Sequence, residues 1–393
     1  MTKIQSARRE FLMGVAGSAF LAPQGKARWA EVNDFLDTQK ARGLIPGAAL
    51  VASQGQNVVY ERYMGNYTSI KERQVELFSE VRHVFYSFSK LISATVVAMI
   101  HQDGLLDYDA PVSVYIPEFK GGGKDKITLR HLLTHSAGIP NVPLGGVGTE
   151  IEWRVAVQTL CAAQTEWEPG SKTAYHALSG MFACAEAVRR VSGGKPWADI
   201  CKERLFDPIG AKTLGFDIPP AGTRIALTPV PAQTPESLKE AFASFAGHPA
   251  GGCSGLPRDA IKVLQLHLNW GVWGSKRLLL KKSLLEMHSV QYAREIETAT
   301  ANGKSPAHEP WGLGILLRGR GAKTGGHDWF GFGEQSSPTI FGHAGIDTVI
   351  GVADILSGKA LFFASTDSPA PKEQTVFLRN SVTNRVFAAL DRK

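Results

Sequence analysis

The stretch HVFYSFSKLISATVVAMIHQDG, His83–Gly104, sets Ser87, Ser89 and Lys90 ahead of a run, Leu91 to Ile100, in which only Ser93 and Thr95 are polar. A run apolar on nearly every side that stops at Gly104 predicts a helix buried on most faces and opening at Ser87. Residues three apart share a helix face, so Ser87 meets Lys90 while Ser89 points away. Ser87 is therefore the better candidate nucleophile. Unpaired first-turn N–H groups and the positive end of the helix dipole favour charge developing on a serine oxygen there. Burial against the apolar helix pushes the Lys90 pKa down, toward a range where it can move protons. A capping serine and a lysine extended along the surface would fit the same stretch standing alone.

The chain has 393 residues, 44% hydrophobic and 20% charged, which is ordinary for a globular protein with a substantial core and two or three domains or subdomains. Net charge is +7, and residues 1–27 supply +3 of it through Lys3, Arg8, Arg9 and Lys26 against Glu10. The other basic residues are scattered, with no long Lys/Arg run and no nucleic-acid motif, so a nucleic-acid partner is set aside. In residues 1–27 an Arg pair precedes a 12-residue apolar segment, Phe11 to Ala22. This is too short to span a bilayer, which takes about 20 residues, and suits an export signal. The stretch ARREFLM resembles a twin-arginine signal, with Ala7 where Ser or Thr is usual and Met13 where Lys is common. Export, to the periplasm, is the expectation, with cleavage after Ala27. The cysteines Cys161, Cys184, Cys201 and Cys253 are widely spaced and lack zinc-site spacing, so buried thiols are expected.

A short helical stretch, RWAEVNDFLDTQKARG, leads into GAALVASQGQNVVYERYMG, two β-type runs about a Gly- and Asn-bearing turn that read as a hairpin. Helical patterns fill the middle of the chain, and β-type segments return in WGLGILL, PTIFGHAG, DTVIGVADI and KALFFASTD before a closing helix. Strands at both ends with helices between imply one sheet assembled from the two termini. The subdomain boundaries expected are a sheet part from about 28–110 and 250–393 and a helical insertion over about 111–249. Pro- and Gly-rich patches at 120–123, 140–148 and 217–235 read as loops.

Two further stretches sharpen the picture. EPGSKTAYHALSG puts Tyr175 after a Pro-Gly turn and at the start of a helix, and FGHAGIDTVIGVAD puts His343-Ala344-Gly345 on or beside a strand. With SFSK, these resemble the S-x-x-K, Y-x-N and K-T-G or H-x-G signatures of the serine β-lactamase and penicillin-binding-protein superfamily, in order from Gly47 to Ser365. LDYDAPVSVYIPEF, ITLRHLLTHSAGIP and GGCSGLPRDAIKVL are similar to segments of its class C branch. The resemblance implies an α/β (α+β) fold with an antiparallel sheet flanked by helices and a mostly helical subdomain. It also implies Ser87 as nucleophile, Lys90 as its proton-handling partner, and Tyr175 as second base and then acid, its pKa held down by the Lys90 ammonium. Which of the two takes the serine proton is left open. The oxyanion hole would be the N–H groups of Ser87 and Ile346, with Gly345 letting substrate lie close to the strand.

Two departures matter. Ala177 stands in place of the Y-x-N asparagine, and His343 in place of Lys, leaving a partial positive charge near neutral pH. Both point toward the family VIII carboxylesterases, which resemble class C lactamases and keep Ser, Lys and Tyr. The expectation is a cofactor-free serine hydrolase that forms an acyl-enzyme on Ser87 and acts on small or short-chain esters. The alternatives are an amide-cleaving D-amino-acid peptidase, D-alanyl-D-alanine carboxypeptidase or weak β-lactamase, and a non-catalytic ligand-binding or sensor protein on the same fold. His131 and His135 stand i,i+4, but the Glu of H-E-x-x-H is missing, so no metal is assigned and His135 is read as bracing a turn. His176 either tunes Tyr175 or contacts substrate, or else faces the surface, Trp311 either walls the pocket or packs, and Cys253 is given no thiol chemistry.

Overall fold

The computed structural model describes residues 27–67, 75–144, 146–217, 219, 223–226, 245–318, 331–346, 349–366 and 372–392. The leader-like segment 1–26 and most of the 217–235 loop lie outside the described residues. Seven antiparallel strands form the main sheet, in the spatial order Val75–Glu76, Asn57–Tyr67, Gly47–Gln54, Lys359–Ser365, Val349–Asp354, Ile340–Gly345 and Leu316–Leu317. The N-terminal hairpin is thus closed onto the C-terminal strands: Gly47–Gln54 pairs with Lys359–Ser365 in the register Ala48 to Ser365 and Leu50 to Phe363. This is the joining of the two chain ends that the distribution of β-type segments implied.

Strands Ile340–Gly345, Val349–Asp354 and Lys359–Ser365 are buried at every position, as continuous apolar runs require when both sheet faces are covered. Alternate residues serve different layers. Leu361, Phe363, Ile350 and Val352 pack with Trp29, Leu36, Val386 and Phe387, from the helices Ala30–Ala41 and Lys372–Asp391 and the residue before the first of them. Ala360, Phe362, Val349 and Ala353 face the other layer, where they join Phe85, Phe88, Leu91 and Leu264.

In that second layer lies the helix Ser89–Gln102, buried at every residue from Ser89 to Ile100. It stops where the sequence said: Gly104 takes φ +77°, a left-handed conformation open to glycine. Its start differs slightly, because Tyr86–Phe88 form a tight 3₁₀ turn that leads into the α-helix at Ser89. Phe88 fixes that turn to the sheet. A Cβ on Gly351 would stand 2.1 Å from the Phe88 ring, and one on Gly345 2.1 Å from the Phe85 carbonyl oxygen. Glycine on two neighbouring strands therefore lets the Phe85–Phe88 turn lie directly against the sheet, and Phe85, Phe88 and Phe362 meet edge-on at 5.2–6.0 Å. Glycine at position 345 therefore serves the packing of strand on turn.

Candidate active site

Ser87 sits at the centre of the 3₁₀ turn, immediately after Tyr86, whose φ of +47° is a strained conformation for a residue with a side chain. The Lys90 amine donates to Ser87 Oγ at 3.0 Å and to the Ala250 carbonyl at 3.0 Å. Ser89 turns the other way, buried, with its Oγ accepting from the Cys253 N–H at 3.1 Å. The Ser87–Lys90 contact is the i,i+3 geometry read from the sequence. Lys90 is 1% exposed, and burial pushes its pKa down from 10.5 to about 7. Near neutral pH a substantial fraction of this amine is unprotonated.

Tyr175 joins them from the far side. Its phenol faces Ser87, whose side chain acts to lower the phenol pKa, and the Lys90 amine lies 5.0 Å from its ring centroid. The tyrosine is not at the start of a helix: the helix begins at Ser179, and residues 171–178 are irregular. Hydrogen bonds from distant segments hold this stretch instead. Gly170 N–H donates to Ser136 O at 2.8 Å and Ala174 N–H to His135 O at 2.9 Å. His176 N–H donates to His135 Nδ1 at 3.1 Å, and Ala177 N–H to Asn141 Oδ1 at 2.5 Å. Burial pushes the phenol pKa up, and the Ser87 side chain partly offsets this. Because Tyr175 remains 38% exposed, as a side chain on a cleft wall does, water tempers that rise. The direction is nevertheless opposite to the lowering by Lys90 that sequence suggested: the neutral phenol is favoured.

Behind Tyr175 lies an aromatic wall. His135 stands 4.6 Å from the Tyr175 ring and 4.4 Å from Trp311, and Trp311 is 6.1 Å from Tyr175, stacked. Trp311 is buried, so it backs the wall by packing. His135 has left the Leu129–Leu133 helix and takes φ +56°, so the i,i+4 spacing with His131 is not a helical pair. His131 is engaged in its own helix cap, Nδ1 accepting from Thr128 N–H. Among the described residues no group of three or more His, Cys, Asp or Glu is placed to hold a metal ion. His176 faces neither surface nor phenol: it is 2% exposed and stacked over Trp167 at 5.8 Å. All four cysteines are free thiols, with Cys161 partly buried and Cys184, Cys201 and Cys253 buried.

Strand Ile340–Gly345 closes the site. His343 is 2% exposed, and its Nδ1–H donates to Ala344 O at 2.7 Å, which fixes the tautomer. Burial, and then the Lys90 charge, push its pKa to about 3, so the partial positive charge expected there is absent at neutral pH. Ile346 follows the strand at φ +32°, half-exposed, its carbonyl accepting from the Arg379 guanidinium.

Two polar residues of this site carry no signal in the sequence. Asn141 places its amide on the backbone at Ala177, the position where a Y-x-N asparagine would stand, with Oδ1 accepting from the Ala177 and Leu178 N–H groups. His248 holds the turn that carries Ala250, its Nδ1 accepting from the Ala250 N–H.

The sequence model of the Beta-lactamase family matches residues 32–380. The chain is 32% identical over 143 residues to "Esterase/beta-lactamase LipL" of Mycobacterium tuberculosis, covering 36% of this chain and 33% of that protein. It is 26% identical over 201 residues to "Esterase EstB" of Burkholderia gladioli, covering 46% of this chain and 50% of that protein. The matched region thus spans a third to a half of these relatives. In fold it is similar to the crystal structure of a family VIII carboxylesterase, with a TM-score of 0.70 at 24% identity, covering 92% of this chain and 98% of the other.

Proposed function

The chain belongs to the beta-lactamase family, and on that premise we propose that it is a serine hydrolase that forms an acyl-enzyme on Ser87 and cleaves small or short-chain carboxylic esters. The observation that carries this reading is the buried Lys90 amine, pulled to about pH 7 and seated 3.0 Å from Ser87 Oγ. Neutral Lys90 takes the Ser87 proton as Oγ attacks the ester carbonyl. The carbonyl oxygen becomes an oxyanion in reach of the Ser87 and Ile346 N–H groups. Tyr175, kept as a phenol, donates its proton to the departing alkoxide and recovers it from the Lys90 ammonium. Water then attacks the acyl-enzyme, passing its proton to Lys90, and the Lys90 ammonium returns that proton to Ser87 Oγ as the carboxylic acid departs.

Ester rather than amide is favoured by His343. The neutral ring offers no cation to a substrate carboxylate, and Ala177 supplies no amide of its own; an alkoxide leaves with less help than an amine. The test is direct. The protein lacking residues 1–27 should release p-nitrophenol from p-nitrophenyl butyrate with a burst equal to the enzyme concentration, and the acyl mass should map to the peptide bearing Ser87. Stoichiometric ligand retention without a burst would favour a sensor, and faster turnover of D-amino-acid amides than of esters would favour the peptidase reading.

Export belongs to the same proposal, supported by Arg8-Arg9 ahead of Phe11–Ala22. Among the described residues no helix is long and apolar enough to cross a membrane. Replacing Arg8 and Arg9 with lysine should leave the protein in the cytoplasmic fraction; unchanged periplasmic recovery would refute a twin-arginine route.

A further inference from the structure

We propose that His248 is the positioning residue of the Lys90 amine: its ring locks the 248–252 turn in the peptide orientation that presents the Ala250 carbonyl to Lys90. This rests on the reading of Lys90 as the group that takes the serine proton. Lys90 Nζ is held between two acceptors, Ser87 Oγ and Ala250 O, so where it sits depends on where that carbonyl points. Ala250 N–H in turn donates to His248 Nδ1 at 3.1 Å. A side-chain acceptor bonded to the N–H two residues on is the contact by which Asn and Asp build tight turns, made here by an imidazole.

The neighbouring carbonyls are committed in the same way. His248 O accepts from the N–H groups of Gly251 and Gly252 at 3.0 and 2.7 Å. Pro249 O accepts from Ser93 Oγ, one helical turn beyond Lys90, at 2.7 Å. The turn is therefore clamped to the Ser89–Gln102 helix at Ser93 and Lys90, and closed on itself by His248. There is no slack for a side chain at Gly252, whose Cβ would lie 2.2 Å from the Phe245 carbonyl oxygen.

His248 is 1% exposed, between Phe182 at 5.6 Å and Phe245 at 6.2 Å. Since Nδ1 accepts, the ring proton sits on Nε2, which is buried with no hydrogen-bond partner among the described residues. Leaving such an N–H unpaired carries a desolvation cost. A hydrocarbon side chain would fill this space without that cost, but would supply no acceptor for Ala250 N–H. The other titratable groups facing Lys90 are Tyr175, His135 and His343, and its charge disfavours protonation of His135 and His343 as well as of His248. The carbonyl of Ala250 is thus a fixed acceptor for the ammonium, set against the burial that lowers its pKa.

The experiment compares the wild type with His248→Leu and His248→Asn by the pH dependence of kcat/KM on p-nitrophenyl butyrate, with melting curves recorded in parallel. Asparagine retains an acceptor for the N–H two residues on; leucine does not. Loss of a well-oriented hydrogen bond to a charged group, about 1.5–3 kcal/mol, corresponds to a drop of roughly 10- to 100-fold. In His248→Leu the acid limb should also move to lower pH, because the ammonium loses its oriented acceptor. His248→Asn should recover both the limb and most of the rate. Rate and limb within twofold of wild type in His248→Leu, or equal loss in both variants with the limb unmoved, would overturn the proposal. Absence of any burst in the wild type would instead strike the hydrolase reading on which it depends.

Discussion

Replacing Lys90 with methionine is expected to lower acylation of Ser87 by roughly 10²- to 10⁴-fold, the usual contribution of a general base, without lowering the melting temperature at pH 7. Catalysis and stability pull in opposite directions at this residue. An amine 1% exposed has its pKa drawn from 10.5 to about 7 by desolvation, a shift that reflects a penalty on the order of a few kcal/mol against the charged form. Methionine fills nearly the same volume with no charge to desolvate. It gives up the contacts to Ser87 Oγ and Ala250 O, so gain and loss roughly offset. The pH dependence separates them. The folded-state pKa lies below the unfolded one, so between about pH 7 and 10.5 the unfolded chain binds the extra proton and the wild type gains stability as pH rises. The methionine variant lacks this contribution, and its melting-temperature difference from the wild type should shift in favour of the wild type between pH 7 and 10. The same titration governs activity: kcat/KM of the wild type should rise through about pH 7 as the amine loses its proton. A methionine variant with an intact burst would remove Lys90 from the mechanism. One that melts far below the wild type would make the lysine structural.

What the sequence disclosed of this site follows from range. The Ser87–Lys90 contact is an i,i+3 relation inside one turn, and the divergence of Ser89 is the same geometry, so both are visible in the four residues SFSK, Ser87 to Lys90. The sheet built from both chain ends was visible because its central strands, Gly47–Gln54, Ile340–Gly345, Val349–Asp354 and Lys359–Ser365, are buried on both faces at nearly every position and read as largely apolar runs. Tyr175 was recognisable by motif, but its conformation was not. Acceptors on His135 and Asn141, some 35 to 40 positions away in the chain, hold its segment out of the helix. Charge states were the least legible. His343 near a cleft suggested partial charge, and Tyr175 near Lys90 suggested a lowered phenol pKa; burial decides both, and it sends the imidazole down and the phenol up. The packing role of Gly345 was not legible because the oxygen it approaches, on Phe85, belongs to a turn more than 250 residues earlier.

Burial of histidine leads to the second large effect: the protein should unfold cooperatively in mild acid, between about pH 6 and 4, with the uptake of several protons. His83 and His176 are drawn by burial to about 4, His248, His267 and His343 to about 3, and His135 and His288 lie well below the ordinary 6.5. Each folded-state pKa is below the unfolded value, so the stability these rings contribute is complete above about pH 6.5 and is lost as pH falls toward the folded values. At pH 5 the loss is about 2 kcal/mol per ring, and three or four rings suffice against a typical total of about 5–15 kcal/mol. His267 and His288 show why the neutral form is required. Thr95 Oγ1 donates to Leu91 O at 2.8 Å, so it must accept from His267 Nε2–H at 2.9 Å. His267 Nδ1 is then free of a proton and accepts from His288 Nε2–H at 3.0 Å. A second proton on His267 removes the acceptor that binds the two rings, within a layer they share with Phe341. The measurement is near-UV circular dichroism against pH with the slope of unfolding free energy alongside. Native tertiary signal persisting at pH 4, with a slope below one proton, would show that the interior accommodates the charged rings.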